Sequence, residues 1–91
     1  MKISDFLLPG EGSAISMDDL ARITNLPERA VRREILQARE AGELICSSEK
    51  GYFLAEDEAE IRAFVMSRKA SIQSTQLSLK PFIRALKQVR R

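Results

Sequence analysis

Apolar positions in the first half of the chain recur at helical spacing in two adjoining segments, then switch to alternation. Residues 2–8 (KISDFLL) form a short apolar-biased stretch. Ser4 is placed to cap one or two helical turns before Pro9-Gly10-Glu11-Gly12, which reads as a turn. Ala14-Ile15 suits a short strand. Ser16 then offers an N-cap hydroxyl, with Asp18 and Asp19 where a helix dipole favours acids, and Leu20 and Ala21 supply the apolar side of a helix ending near Thr24. Asn25 tolerates a left-handed backbone. Leu26-Pro27 restarts the chain, with Pro27 suited to the first turn of a second helix over residues 28–41 that Gly42 stops. Val31, Ile35 and Ala38 share one face of that helix, whereas Arg29, Arg32, Arg33 and Leu36 fall largely on the other.

Beyond Gly42, Leu44-Ile45-Cys46 and Tyr52-Phe53-Leu54 flank Ser47-Ser48-Glu49-Lys50-Gly51, which predicts a hairpin with a five-residue turn. Tyr52 and Phe53 face opposite ways, and Cys46 is expected as a small buried apolar residue. A third helix starts at Glu56-Asp57-Glu58 with acids in its first turn. Val65, Ile72, Leu79 and Leu86 then recur every seven residues with Phe82 and Val89 alongside, while Arg68 and Thr75 interrupt the second row. With those interruptions the pattern favours helices packing on something local over a coiled coil. Pro81 predicts a break near 77–80, between a helix over 57–76 and a shorter one over 80–90 capped by Ser78. A single helix kinked near 77–81 is the alternative.

Composition narrows the chemistry. The 91 residues contain no His, no Trp and one Cys. No imidazole base or triad and no histidine metal ligand is available, and one thiol cannot form an internal disulfide or a multi-thiolate metal site. No cofactor, metal, small-molecule ligand or catalytic residue is expected. No apolar run approaches membrane-spanning length and no export signal is visible, so a cytoplasmic protein is expected.

The net charge of +2 hides a division. Residues 1–60 carry 13 acids and 7 bases, a balance of −6. Residues 61–91 carry 8 bases and no acid. A one-sign block points to nucleic acid, an acidic surface or the acidic half of another copy.

Helix, tight turn, helix with a basic outer face and hairpin follow one another in the order of a winged helix. The stretch from Leu20-Ala21 through Asn25-Leu26-Pro27 to Val31-Arg32-Arg33-Glu34-Ile35 and Glu40-Ala41-Gly42 resembles the winged helix-turn-helix pattern. Residues 45–54 (ICSSEKGYFL) resemble the wing of small bacteriophage and prophage members. The resemblance covers residues 14–55. Asn25 stands where the family often has Gly, and Pro27 where Ser or Thr usually caps the recognition helix. The fold expected is mainly α with a small β-hairpin wing: a winged helix-turn-helix domain over 1–55 and a basic helical extension over 56–91.

The resemblance implies sequence-directed binding of double-stranded DNA, with residues 27–41 in the major groove and 47–51 as the wing tip. It also implies a small regulator or a phage replication or recombination accessory protein in a bacterial cell. Arg29, Arg32 and Arg33 are the candidates for base or phosphate contact, and Lys50 for a phosphate or the minor-groove rim. Glu28, Glu34 and Glu40 share their helix and compete for the arginines. Arg84, Lys87, Arg90 and Arg91 are candidate phosphate contacts in the tail. Val65, Ile72, Leu79, Phe82 and Leu86 are candidate interface residues for a homodimer. The alternative function is a protein–protein assembly module that uses the C-terminal helices.

Overall fold

A computed structural model of the chain describes residues 2–89. It is a mainly helical domain with three α-helices and a small antiparallel hairpin. In chain order, 3₁₀ turns at Ile3–Phe6 and Glu11–Ser13 precede α1 (Met17–Thr24) and α2 (Glu28–Glu40). The hairpin strands β1 (Ile45–Ser48) and β2 (Gly51–Leu54) follow, and α3 (Glu58–Val89) is the last element among the described residues.

Local chemistry accounts for most boundaries. The Ser16 hydroxyl accepts from the Asp19 amide at 3.1 Å, the N-cap expected for α1. Asn25 ends that helix in the left-handed conformation (φ 57°, ψ 37°), and the Leu26 amide reaches back to the Ala21 carbonyl. Pro27 occupies the N-cap of α2 rather than its first turn. It offers no side-chain cap, and its carbonyl accepts from Ala30 and Val31. The far end of α2 closes as a Schellman turn. Glu43 donates to Ala38, Gly42 donates to Arg39, and Gly42 adopts φ +100°.

Four further expectations are corrected. The first 3₁₀ turn begins at Ile3, so Ser4 lies inside it, and its hydroxyl donates to Glu43 instead of capping. The hairpin tip is two residues, Glu49-Lys50, because Ser47–Tyr52 and Ser48–Gly51 continue the pairing of Ile45–Leu54 and Cys46–Phe53. Beyond Val65 the apolar row of α3 packs on nothing in its own chain, since every described residue from Val65 to Val89 is exposed. Nor does α3 stop before Pro81, which stands inside one helix, so the alternative of a single helix replaces the favoured break. The Ser78 hydroxyl donates back to the Thr75 carbonyl at 2.8 Å, and Thr75 donates back to Ser71 at 3.0 Å. Ser78 therefore acts within the helix and starts no new one. The proline costs the Leu77 carbonyl its helical donor, and neighbouring turns carry the helix through.

The core gathers Ile3, Leu7, Leu20, Val31, Ile35, Ala38 and Ile45, with Phe6, Ile15, Met17, Tyr52 and Leu54 packed against it. Ile45, Tyr52 and Leu54 bring one face of the hairpin to this core. Cys46 and Phe53 point to the other face, where both are buried. Ile15 supplies the expected extra strand as an isolated bridge, exchanging hydrogen bonds with Tyr52 at 2.8 and 2.9 Å. Leu54 likewise donates to Leu8 and accepts from Gly10. Hence β2 is paired along both edges, with β1 on one side and the N-terminal segment on the other. Gly51 makes this possible, because a Cβ there would lie 2.3 Å from the Ile15 carbonyl oxygen, and its φ is +125°.

Candidate nucleic-acid interface

α2 buries Val31, Ile35 and Ala38 completely enough that its opposite side must face water. That side carries Arg29, Arg32, Arg33 and Leu36, one above another at helical spacing. All are exposed, with Leu36 55% accessible. A connection of three residues joins α1 to the helix that carries the ridge, and the left-handed Asn25 sets the angle between the two helices.

The acids of α2 fall differently around it. Glu28 lies 3.6 Å from Arg32, an exposed i,i+4 pair. Glu34 turns to the side, where it lines a groove of about 430 Å³ with Ile3, Phe6, Ile23 and Leu26. Glu40 stands exposed in the last turn. Among the described residues, Arg29 and Arg33 are in no ion pair. The acids elsewhere in residues 1–60 are mostly engaged within the chain. Asp19 pairs with Arg22, Glu43 accepts from Ser4, and Glu58 pairs with Arg62 at 2.6 Å. The Glu60 carboxylate accepts from the Glu11 and Glu56 amides, both at 2.9 Å, tying the start of α3 to the N-terminal segment.

Lys50 is exposed at the hairpin tip beside Ser16 and Met17, at the start of α1. The three arginines therefore form one surface, and Lys50 stands on a separate element. No hydrogen bond or ion pair joins them among the described residues. In the extension, Arg84 and Lys87 are exposed and flank a shallow groove with Lys80 and Ile83. Arg90 and Arg91 lie outside the described residues. Val65, Ile72, Leu79, Phe82 and Leu86 are all exposed, from 42% at Val65 to 68% at Phe82.

Arg39 has a different task from its neighbours on α2. Its Nε donates to the Ile45 carbonyl at 2.8 Å, and its guanidinium carbon lies 4.8 Å from the centroid of the Phe64 ring. Burial, and after it the charge of Arg68, push its pKa down. It fastens α2, β1 and α3 together. Its place four residues after Ile35, on the border of the buried stripe, is the signal that separates it from the outer arginines. Cys46 is buried behind it. Burial, reinforced by the Glu60 carboxylate, pushes the thiol pKa up, opposite to what a reactive thiolate needs.

Among the described residues no helix is long and apolar enough to cross a membrane, and no cluster of His, Cys, Asp or Glu is arranged to hold a metal ion. No family model, curated protein or solved structure matches the chain.

Proposed function

We propose that the chain binds double-stranded DNA through a winged helix-turn-helix head, with α2 as the recognition helix and the β1–β2 hairpin as its wing. The observation that carries this reading is the exposed Arg29–Arg32–Arg33 ridge on a helix joined to α1 by a three-residue turn with Asn25 in the left-handed conformation. A helix presented by its neighbour in this way fits the major groove, where its N-terminal half meets base edges first. All three arginines lie in that half. A guanidinium can read guanine through two hydrogen bonds, contributing roughly 1–3 kcal/mol of discrimination, or hold a phosphate. The pairing of Ile15 with Tyr52 supports the same reading, since it fixes the hairpin beside α1.

Charge decides how such a head can work. Residues 1–60 are net acidic, so long-range attraction to a polyanion has to come from elsewhere. The bases of α3, Arg84 and Lys87 among them, supply it and add phosphate contacts that steepen the salt dependence. The protein then acts by occupying a site, as a small regulator or as an accessory protein in a phage-type replication or recombination complex.

A duplex mobility-shift titration across salt tests the assignment. Binding is expected to weaken steeply with salt, and Arg32→Ala combined with Arg33→Ala is expected to reduce it at least tenfold. Coincident wild-type and double-variant curves would overturn it. A second reading, an assembly module without DNA contact, is favoured by one observation: the exposed apolar row along α3.

A further inference from the structure

The greater part of α3 is a helix without a core. Every described residue from Val65 to Val89 is exposed, yet Val65, Ile72, Leu79 and Leu86 form one row and Ile61, Phe82 and Val89 belong to the row beside it. A solitary helix in water is marginal, and this one also carries an internal proline. Three observations identify what covers it.

The first is register. Arg68 and Thr75 complete the second row, so the seam reads Ile61, Arg68, Thr75, Phe82, Val89 beside Val65, Ile72, Leu79, Leu86. In an antiparallel helix pair the first row of one helix meets the second row of the other. Setting Glu58 against the partner's Val89 brings every layer into line. Ile61 meets the partner's Leu86, Val65 the partner's Phe82, and Ile72 the partner's Thr75. Arg68 meets the partner's Leu79, along which its stem can lie while the guanidinium reaches water. A parallel pair matches each residue with its own copy and places two arginines face to face in the seam.

The second is charge. α3 begins among Glu56, Asp57, Glu58 and Glu60, and beyond Glu60 it carries bases only. Parallel packing would set like charges together at both ends. Antiparallel packing brings the acidic start of one helix level with the basic far end of the other. Arg62, Lys69, Lys80, Arg84 and Lys87 stay off the seam, on one flank of the helix.

The third is a cavity of about 240 Å³ where α3 leaves the head, lined in part by Leu44, Cys46, Ala55, Ile61, Phe64 and Val65. Leu44 is 58% exposed at this place. The register that aligns the seam delivers the partner's Phe82 beside Val65, at this cavity.

We propose that the chain dimerises through an antiparallel α3–α3 pair in which the partner's Phe82 fills the cavity between α3 and the hairpin. The pairing stands whether or not α2 contacts DNA. Sedimentation of the full chain is expected to show a dimer. Phe82→Glu and Ile72→Glu should each weaken it at least tenfold with unchanged thermal unfolding of the head, because both side chains are exposed in the single chain. Nitroxide labels on Lys87→Cys in a Cys46→Ala background report direction. Antiparallel packing separates the two labels by 27 residues of helix, about 40 Å at about 1.5 Å per residue, whereas parallel packing sets them side by side. Labels on Ser74→Cys should lie close together. A monomer at every concentration, side-by-side labels at position 87, or a dimer indifferent to Phe82→Glu would each overturn the proposal. Loss of DNA binding in a dimeric Arg32→Ala, Arg33→Ala variant would leave it standing and address the DNA surface alone.

Discussion

The guanidinium carbon of Arg39 sits 4.8 Å from the centroid of the Phe64 ring while its Nε donates to the Ile45 carbonyl at 2.8 Å. One side chain thus holds α2, the hairpin and the long helix in fixed relation. Arg39→Ala should cost about 2 kcal/mol in urea unfolding, within the range for a lost charged hydrogen bond and cation–π contact. Arg39→Lys should recover part of that loss, since an ammonium keeps the charge without the planar fork. A double-mutant cycle with Phe64→Leu should return a coupling of about 0.5–1 kcal/mol.

Gly51 has no room for a side chain. Gly51→Ala would set a Cβ 2.3 Å from the Ile15 carbonyl oxygen in a backbone conformation that L-residues rarely adopt. We expect at least about 2 kcal/mol of destabilisation by thermal or urea unfolding. Gly12→Ala is the control: nothing lies within 4 Å of a Cβ there, and it should change stability by less than about 0.5 kcal/mol.

Glu28 sits on the proposed DNA face, 3.6 Å from Arg32. Replacing it with Gln removes a negative charge from that face and frees the guanidinium. DNA binding should tighten several-fold at low salt, with the gain shrinking as salt rises. Stability should fall by only about 0.3–1 kcal/mol, because an acid is lost from the first turn of a helix and the exposed pair contributes little. Binding that weakens in Glu28→Gln would place Arg32 away from the nucleic acid.

Much of the head was legible because its boundaries are written in short-range chemistry. Ser16, Asn25 and Gly42 each settle a helix end through their own backbone or side-chain preference, and Val31, Ile35 and Ala38 declare a buried face by spacing alone. The errors came where long-range packing decides. Ser4 looks like a cap, but its hydroxyl is taken by Glu43, 39 residues away. The hairpin turn is shorter than expected because β2 is held from its far side by Ile15, and no local signal in residues 47–51 carries that information. Pro81 is different: local rules allow either a stop or a helix carried through the proline, no packing in the chain decides between them, and α3 continues past it. For the site, the arginine ridge followed directly from helical periodicity. The separate task of Arg39 did not, since its partners come from two other elements.

The Cys46 thiol yields a pH prediction. Its pKa is raised in the folded chain by burial and by Glu60, so the native state holds its proton more tightly than the unfolded state does. The resulting stability is present below the ordinary thiol pKa of about 8.5 and is lost as pH rises from there toward the raised folded value. Wild-type stability should therefore decline through that alkaline window more steeply than Cys46→Ala, as urea titrations at stepped pH would show. Alkylation of the native chain should be slow and should accelerate sharply on unfolding.

The double-sided pairing of β2 also sets an order of events as the chain is made. Residues 8–15 emerge first, but the strand they pair with ends only at Leu54. Until that strand is synthesised, the opening segment has no partner and one flank of the core stays uncovered. Closure joins contacts some 40 residues apart, a step whose loop entropy has to be met before its hydrogen bonds repay it. The head is thus expected to fold late and all at once, when residues 8–15 meet β2.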